Sequence, residues 1–371
     1  MTKENDEKHF NRLGEHEHRS NKNRYKLTSQ QFPVRSSRIE SANIMPSASV
    51  NRNSPSGATG NNNVRYRTFN GKQISQFCNY NPRRDFGRCL EYNRDAIPSV
   101  WTRSQVEQIR INSTNVAPLI EAPFPRISAD LWIWDMWPLI EKDGSIAVLP
   151  GGWRVLFALS VPRSVLPGKR HDVARISYFY SRNGLDWIQG GYVFEEGTAL
   201  GSRQWAGSAM LDDDGRIYYF YTATGRRGEA QITYEQRIAL SSSDYISNLD
   251  GVQLVNFAPH QVILEPDGIL YQTEEQSSGG IIYAFRDPFF FKDLATGCEY
   301  LLFEGNIAGT SADVDCGPRV PADAAEYTGN IGIALLRNNS FSSWELLPAL
   351  LEAGCTNQQT ERPNIVVSDG L

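Results

Sequence analysis

The sequence predicts an all-β protein built as a β-propeller, with a β-sandwich as the structural alternative. Three observations carry this. From residue 64 onward, short apolar or alternating runs recur, each bounded by Gly, Asn, Asp or Pro, and long helical periodicity is scarce. Aromatic residues make up 11% of the chain, a richness that favours strands or a carbohydrate-facing cleft over a helical bundle. Two hairpin patterns also repeat. ISYFYSRNGLDW (176–187) matches IALLRNNSFSSWE (333–345), and DDDGRIYYFY (212–221) matches LATGCEYLLF (294–303). Repeated hairpins of this kind suggest propeller blades, each a small antiparallel sheet.

Residues 1–63 read as a disordered polar tail and linker. They hold no Trp or Cys, carry ten Lys/Arg against six Asp/Glu, and end in SPSGATGNNN (54–63). RSQVEQIRI (103–111) is the one short helix candidate. Strands are expected in LWIWDMWPLI (131–140), WRVLFALSV (153–161), ARISYFYS (174–181), GRIYYFYTA (215–223), QRIALSSS (236–243), EYLLFEGN (299–306) and NIGIALLR (330–337), with a further apolar strand after Pro363. Residues 64–371 are therefore read as one β domain.

Several function classes are excluded. The chain's net charge is −5, without the strong basic field of a nucleic-acid binder. No run of 18 apolar residues exists to span a membrane, and MTKENDEKHF has no apolar segment of a secretory signal. Cys78, Cys89, Cys298, Cys316 and Cys355 have no CxxC spacing, so a zinc site is not expected. They read as scattered thiols, at least one of them free, with one or two disulfides if the protein leaves the cytosol.

Three carboxylates stand in unusual surroundings. Asp135 lies in an apolar strand between Trp134 and Trp137, where burial is costly without a purpose. Aromatic walls beside a carboxylate suit a sugar ring; the plainer alternative is a strand-end Asp satisfied by backbone N–H groups. Asp287 follows Arg286 in AFRDPFFF (284–291). Neighbours on a strand point to opposite faces, so both reach one cleft only where the strand bends, and Pro288 makes a bend plausible. The alternative is a turn with an exposed ion pair. Glu361 precedes Arg362 in TNQQTERPNIVV (356–367), which taken alone is an ordinary polar loop. Glycoside chemistry needs two carboxyl groups across the scissile bond, and a third that grips the sugar matches this inventory.

The blocks WDMWP (134–138), RQWAGSAM (203–210), FRDP (285–288), LLFEGN (301–306) and QTERP (359–363), in this order, resemble the levansucrases and inulosucrases, glycoside hydrolase family 68. The resemblance covers about residues 90–371. It implies a five-bladed β-propeller with a funnel-shaped pocket on its axis, and cleavage of sucrose with transfer of fructose to water, sucrose or fructan. It makes Asp135 the nucleophile, Glu361 the acid/base and Asp287 the transition-state stabiliser. Trp134 and Trp205 wall the fructose subsite, Arg286 hydrogen-bonds across it, Arg362 contacts the glucosyl side, and Glu304 supports the arginines. Where many members have Ser, this chain has Ala206, which resembles the Gram-negative branch. Where Gram-positive members have an acidic pair that helps hold calcium, Gln358 and Gln359 stand, so no metal or cofactor is expected.

The implied partners are sucrose and fructan, with no nucleic acid or membrane, and a monomer is expected. The rival readings are a sucrose hydrolase of the same fold and a catalytically dead carbohydrate-binding propeller. Secretion by a route without a cleaved signal is expected, with the cytoplasm as the alternative. Cys316 and Cys355 are expected to approach each other near the loop of Glu361. The family continues past the acid/base block, whereas this chain ends ten residues after Glu361. The expectation is a truncated propeller of three to four blades, open beside the strand after Pro363, with little sucrose activity and low stability until lengthened.

Overall fold

In the computed structural model the described residues are 97–119, 125–277, 279–318 and 320–367. The chain divides into two units, Met1–Phe77 and Cys78–Leu371, and every described residue belongs to the second. The expected tail 1–63 lies outside them.

The described residues hold fourteen strands. β1 (Ser99–Val100) is followed by β2 (Leu131–Glu141), β3 (Arg154–Pro162), β4 (Arg175–Ser181) and β5 (Ile188–Tyr192). Then come β6 (Arg203–Leu211), β7 (Ile217–Thr224), β8 (Gln236–Ser247), β9 (Val252–Val255) and β10 (Gln261–Leu264). The last four are β11 (Phe285–Lys292), β12 (Glu299–Asn306), β13 (Gly329–Arg337) and β14 (Ser340–Glu352). β2 to β5 form one antiparallel meander, β6 to β8 a second with β9 and β10 both on β8, and β11 to β14 a third with β1 parallel to the end of β14. These are three propeller blades. The first two meet through their first strands, β2 lying parallel to β6 with Leu139 opposite Ala209. The third approaches where Phe290 N donates to Ser208 Oγ at 3.1 Å.

The sequence repeats fall on equivalent places in the blades. The 176–187 and 333–345 segments both run from the third strand of a blade to its fourth. The 212–221 and 294–303 segments both feed the second strand from the first. In the β13–β14 hairpin, Asn338 and Asn339 take φ of 55° and 51°, so that Arg337 pairs with Ser340. Asparagine is among the few residues that accept this conformation at both turn positions.

Alternation explains why the middle blade is buried on both faces. Along β7, Ile217, Tyr219, Tyr221 and Ala223 enter the core shared with the first blade. Phe220 enters the core shared with the third, stacking 5.8 Å from Phe290. Each such aromatic side chain contributes roughly 1.5–3 kcal/mol by leaving water.

Two sequence expectations are corrected. The helix expected over 103–111 spans only Arg103–Val106, held by Thr102 N donating to Gln105 Oε1 at 2.8 Å. It buries no residue, and Ile109 and Ile111 are exposed, so nothing sustains a longer helix. The apolar strand expected after Pro363 is absent: residues 363–367 are irregular, and Val366 is 85% exposed. No neighbouring strand among the described residues pairs with it.

Candidate functional site

The site is built on irregularities in the first strand of each blade. Between Trp134 and Trp137, β2 carries one residue more than β3 opposite it; β11 does the same between Arg286 and Phe289, and β6 between Trp205 and Gly207. Such bulges re-aim a side chain out of the pleat. Asp135 and Asp287 take φ of 48° and 59° there, a region that aspartate tolerates better than most residues. This turn is why Arg286 and Asp287, adjacent in sequence, serve one site. Thr222 ties two bulges together: its Oγ1 donates to Ala206 O at 3.0 Å and accepts from Asp287 N at 2.9 Å.

Arg286 is the hub. Its Nε lies 2.8 Å from Glu304 Oε2 and its Nη2 lies 3.7 Å from Glu361 Oε1. Nη1 donates to Tyr283 O at 3.2 Å and to Gln236 Oε1 at 3.4 Å. Gln236 in turn accepts from Phe285 N at 3.1 Å. Glu361 reaches this cluster because the segment after β14 is pinned to the third blade. Thr360 N donates to Glu304 Oε1 at 3.0 Å, and Thr360 Oγ1 donates to Asn330 O at 2.6 Å. Gln358 Oε1 accepts from Thr328 N at 2.7 Å. Arg362, at φ 55°, then crosses to the first blade, 3.6 Å from Asp135 Oδ1 and donating to Met136 O.

Burial differs sharply among the acids. Asp287 is 8% exposed and the Glu304 side chain is fully buried, whereas the side chains of Asp135 and Glu361 are 39% and 60% exposed. Burial pushes the Asp287 carboxyl above the usual carboxylate range; Arg286 opposes this, and the charges of Asp135 and Glu361 add to it. Burial also raises Glu304, with Arg286 opposing and Asp287 and Glu361 adding. Burial works against the charge of Arg286, but Glu304, Asp287, Glu361 and Asp135 outweigh it, in that order, so its guanidinium is held charged.

The aromatic wall is joined by a residue that sequence reasoning missed. The ring of His171 stands 5.5 Å from Trp134, nearly perpendicular, and 6.2 Å from Trp205. Its carbonyl accepts from Trp205 Nε1 at 3.0 Å. Trp134 Nε1 is buried and has no hydrogen-bond partner in the protein, a donor left for a ligand oxygen. Thr222, Gln236 and Tyr283 were missed too: none sits in a motif, and their work is done by single polar atoms from separate strands and loops.

Cys316 and Cys355 form a disulfide with Cα atoms 5.5 Å apart, anchoring the chain six residues before Glu361. Cys298 is also disulfide-bonded, so the picture of scattered thiols is replaced.

All eight candidate residues thus lie in one neighbourhood, linked through Arg286, Arg362 and the tryptophans. A family model described as Levansucrase/Invertase, glycoside hydrolase 68, matches residues 91–371. The chain is 35% identical over 306 residues to a levansucrase of Rahnella aquatilis, covering 75% of this chain and 71% of that protein. It is 32% identical over 288 residues to an extracellular sucrase of Zymomonas mobilis, covering 74% and 68%. Among solved structures it resembles an inulosucrase from Halalkalicoccus jeotgali bound to kestose, with a TM-score of 0.69, 50% identity, and coverage of 74% of this chain and 66% of that one.

Proposed function

The chain belongs to the levansucrase/invertase family, glycoside hydrolase family 68, and from that premise we propose that it is a levansucrase-type retaining fructosyltransferase, cleaving sucrose and passing fructose to fructan, sucrose or water. The chain spans about two thirds of the length of its relatives, so the activity is proposed for the protein as a whole. One observation supports it above the others: four carboxylates from four separate segments gather around Arg286, Asp135 and Glu361 open to solvent and Asp287 and Glu304 buried.

In this reading Asp135 attacks the anomeric carbon of the fructosyl ring while Glu361 protonates the departing glucose oxygen. A fructosyl-enzyme forms. Glu361 then takes the proton of the incoming hydroxyl as that oxygen displaces Asp135. Asp287 accepts hydrogen bonds from fructosyl hydroxyls, which strengthen as positive charge develops on the ring. Trp134 and Trp205 wall the fructose, Arg286 donates across it, Glu304 holds Arg286, and Arg362 meets the glucosyl side. The test is incubation with sucrose and measurement of glucose, free fructose and fructan. Glucose in excess of free fructose supports transfer; equal amounts point to a hydrolase, and sucrose binding without glucose to a dead propeller. Running the assay on the 371-residue chain and on a lengthened one tells how much activity these residues hold.

The 50% identity to the Halalkalicoccus inulosucrase supports a second reading of the product, a β-2,1 in place of a β-2,6 linkage. Carbon NMR of the polymer separates them. Action outside the cell is proposed as well, supported by the disulfide and by the relative named an extracellular sucrase. Among the described residues no helix is long and apolar enough to cross a membrane.

A further inference from the structure

We propose that Arg103 is a positioning residue for the acid/base carboxylate: through the carbonyl of Cys355 it fixes the turn that delivers Glu361 to the carboxylate cluster. This rests on the reading of Glu361 as the acid/base. The Glu361 carboxylate is held by little of its own, since its side chain is 60% exposed and its ion pair with Arg286 is long, at 3.7 Å. Its position is therefore set by the backbone that brings it there. A misplacement of about 1 Å in a reacting group lowers a rate by on the order of 10²-fold.

That backbone turns sharply after β14. Thr356 N and Asn357 N both donate to Ala353 O, at 3.0 and 2.9 Å, and Cys355 takes φ of 59°. A residue other than glycine is strained in that region and keeps it only where its surroundings dictate it. Here Cys355 is held at three points. Its N donates to Tyr327 O at 2.7 Å, its Sγ is bonded to Cys316, and its O accepts from Arg103 Nη2 at 3.0 Å. The last is a hydrogen bond from a charged donor, the stronger kind. Downstream, Gly329 N donates to Asn357 O at 2.9 Å, and a Cβ on Gly329 would stand only 2.6 Å from that oxygen. The bonds of Gln358 and Thr360 then complete the path to Glu361.

These anchors differ in origin. Cys316, Tyr327 and Gly329 belong to β13 or to the connection that leads into it from β12, whereas Arg103 lies 252 residues before Cys355. It is brought there by β1, which runs parallel to the end of β14 with Val100 opposite Glu352. Trp101 N donates to Glu352 O at 2.8 Å, and Thr102 caps the four-residue helix that begins at Arg103. That helix buries no residue, and Arg103 Nε is buried without a hydrogen-bond partner. Packing therefore does not account for the placement of Arg103. The strap follows β14 to its end and sets a charged donor on the residue where the turn toward Glu361 is tightest.

The test is a double-mutant cycle on the protein in the form that turns over sucrose. Arg103→Met keeps the stem of the side chain and removes the donor. Its kcat on sucrose falls by about tenfold or more while KM stays near that of the parent. The first step on an activated fructoside, read as release of its acidic leaving group before steady state, changes little, because that release needs no acid. In the Glu361→Gln background Arg103→Met brings no further loss, since no acid remains to be placed. Arg103→Lys, which still donates to one carbonyl, recovers most of the sucrose turnover. A strap that only stabilises the fold lowers the melting temperature and treats both substrates alike. An undiminished kcat on sucrose, equal losses on the two substrates, or the same loss in the Glu361→Gln background as in the parent overturns the proposal and leaves the acid/base reading standing. Glu361→Gln turning over sucrose as fast as the parent overturns that reading and this role with it, as does a protein without sucrose turnover at either length. If Arg103→Met does not fold, Arg103→Gln, too short to reach the carbonyl, takes its place with the same expected outcomes.

Discussion

The first strands of the three blades share a backbone device and differ in what occupies it. β2 and β11 each bulge at an aspartate with positive φ, whereas β6 bulges at Ala206, which stays out of that region. A bulge alone is therefore architecture: it turns an inner strand toward the site. In the proposed mechanism, chemistry comes where the turned residue is a carboxylate. The two aspartates differ again, since Asp287 is buried beside Arg286 with its backbone tethered to Thr222, while Asp135 faces solvent and Arg362. An open carboxylate suits attack on a substrate that must enter and leave; a sealed one suits fixed hydrogen bonds to a ring.

The largest test of this division is Asp135→Ala. Loss of a nucleophile lowers kcat by roughly 10⁴–10⁶-fold, read as glucose release from sucrose against the parent protein. A matching loss in binding affinity alone points instead to a binding role. Glu361→Ala comes next, with kcat down by roughly 10²–10⁴-fold on sucrose. On a fructoside with an acidic leaving group, the loss in the first step is much smaller. Equal losses on both substrates count against the acid/base assignment.

Asp287→Asn keeps the size of the side chain and removes its charge. Transition-state stabilisation falls, with kcat expected down by roughly 10²–10³-fold. Stability moves the other way. Burial raises this carboxyl in the folded chain, so its favourable contribution is full below the unfolded pKa and is lost as pH rises through the raised folded value. Asn therefore lifts the melting temperature at neutral pH and leaves it little changed at acid pH. A variant melting lower than the parent at pH 7 contradicts the burial argument.

The smallest expected effect is that of Thr222→Val, which keeps the shape and removes the hydroxyl that joins the β6 and β11 bulges. Two buried backbone groups lose their partner, at a cost of roughly 1–3 kcal/mol in denaturant unfolding. An unchanged midpoint means the bulges hold themselves.

Much of the fold was legible. EYLLFEGN (299–306) coincides with β12, and the two hairpin repeats mark equivalent corners of different blades, because strand alternation and turn residues are local signals. The eight candidate residues were legible as motifs, and the WDMWP and FRDP blocks coincide with the bulges. The bulges themselves were not, since an extra residue is defined only against the strand opposite. Thr222, Gln236 and His171 were illegible for the same reason: each acts through contacts with residues tens of positions away in the sequence. The false strand at 364–367 and the overlong helix at 103–111 share a cause. Apolar residues there promised burial, and no partner surface provides it among the described residues.

The covalent role of Asp135 is tested most directly by rapid quenching with an activated fructoside, followed by peptide mass spectrometry. The Glu361→Gln variant is used so that the intermediate accumulates. The expected result is one fructosyl group, esterified to Asp135, on the peptide that carries the Trp134–Trp137 bulge. A fructosyl group on another residue, or turnover of the fructoside with inversion and no adduct, contradicts it.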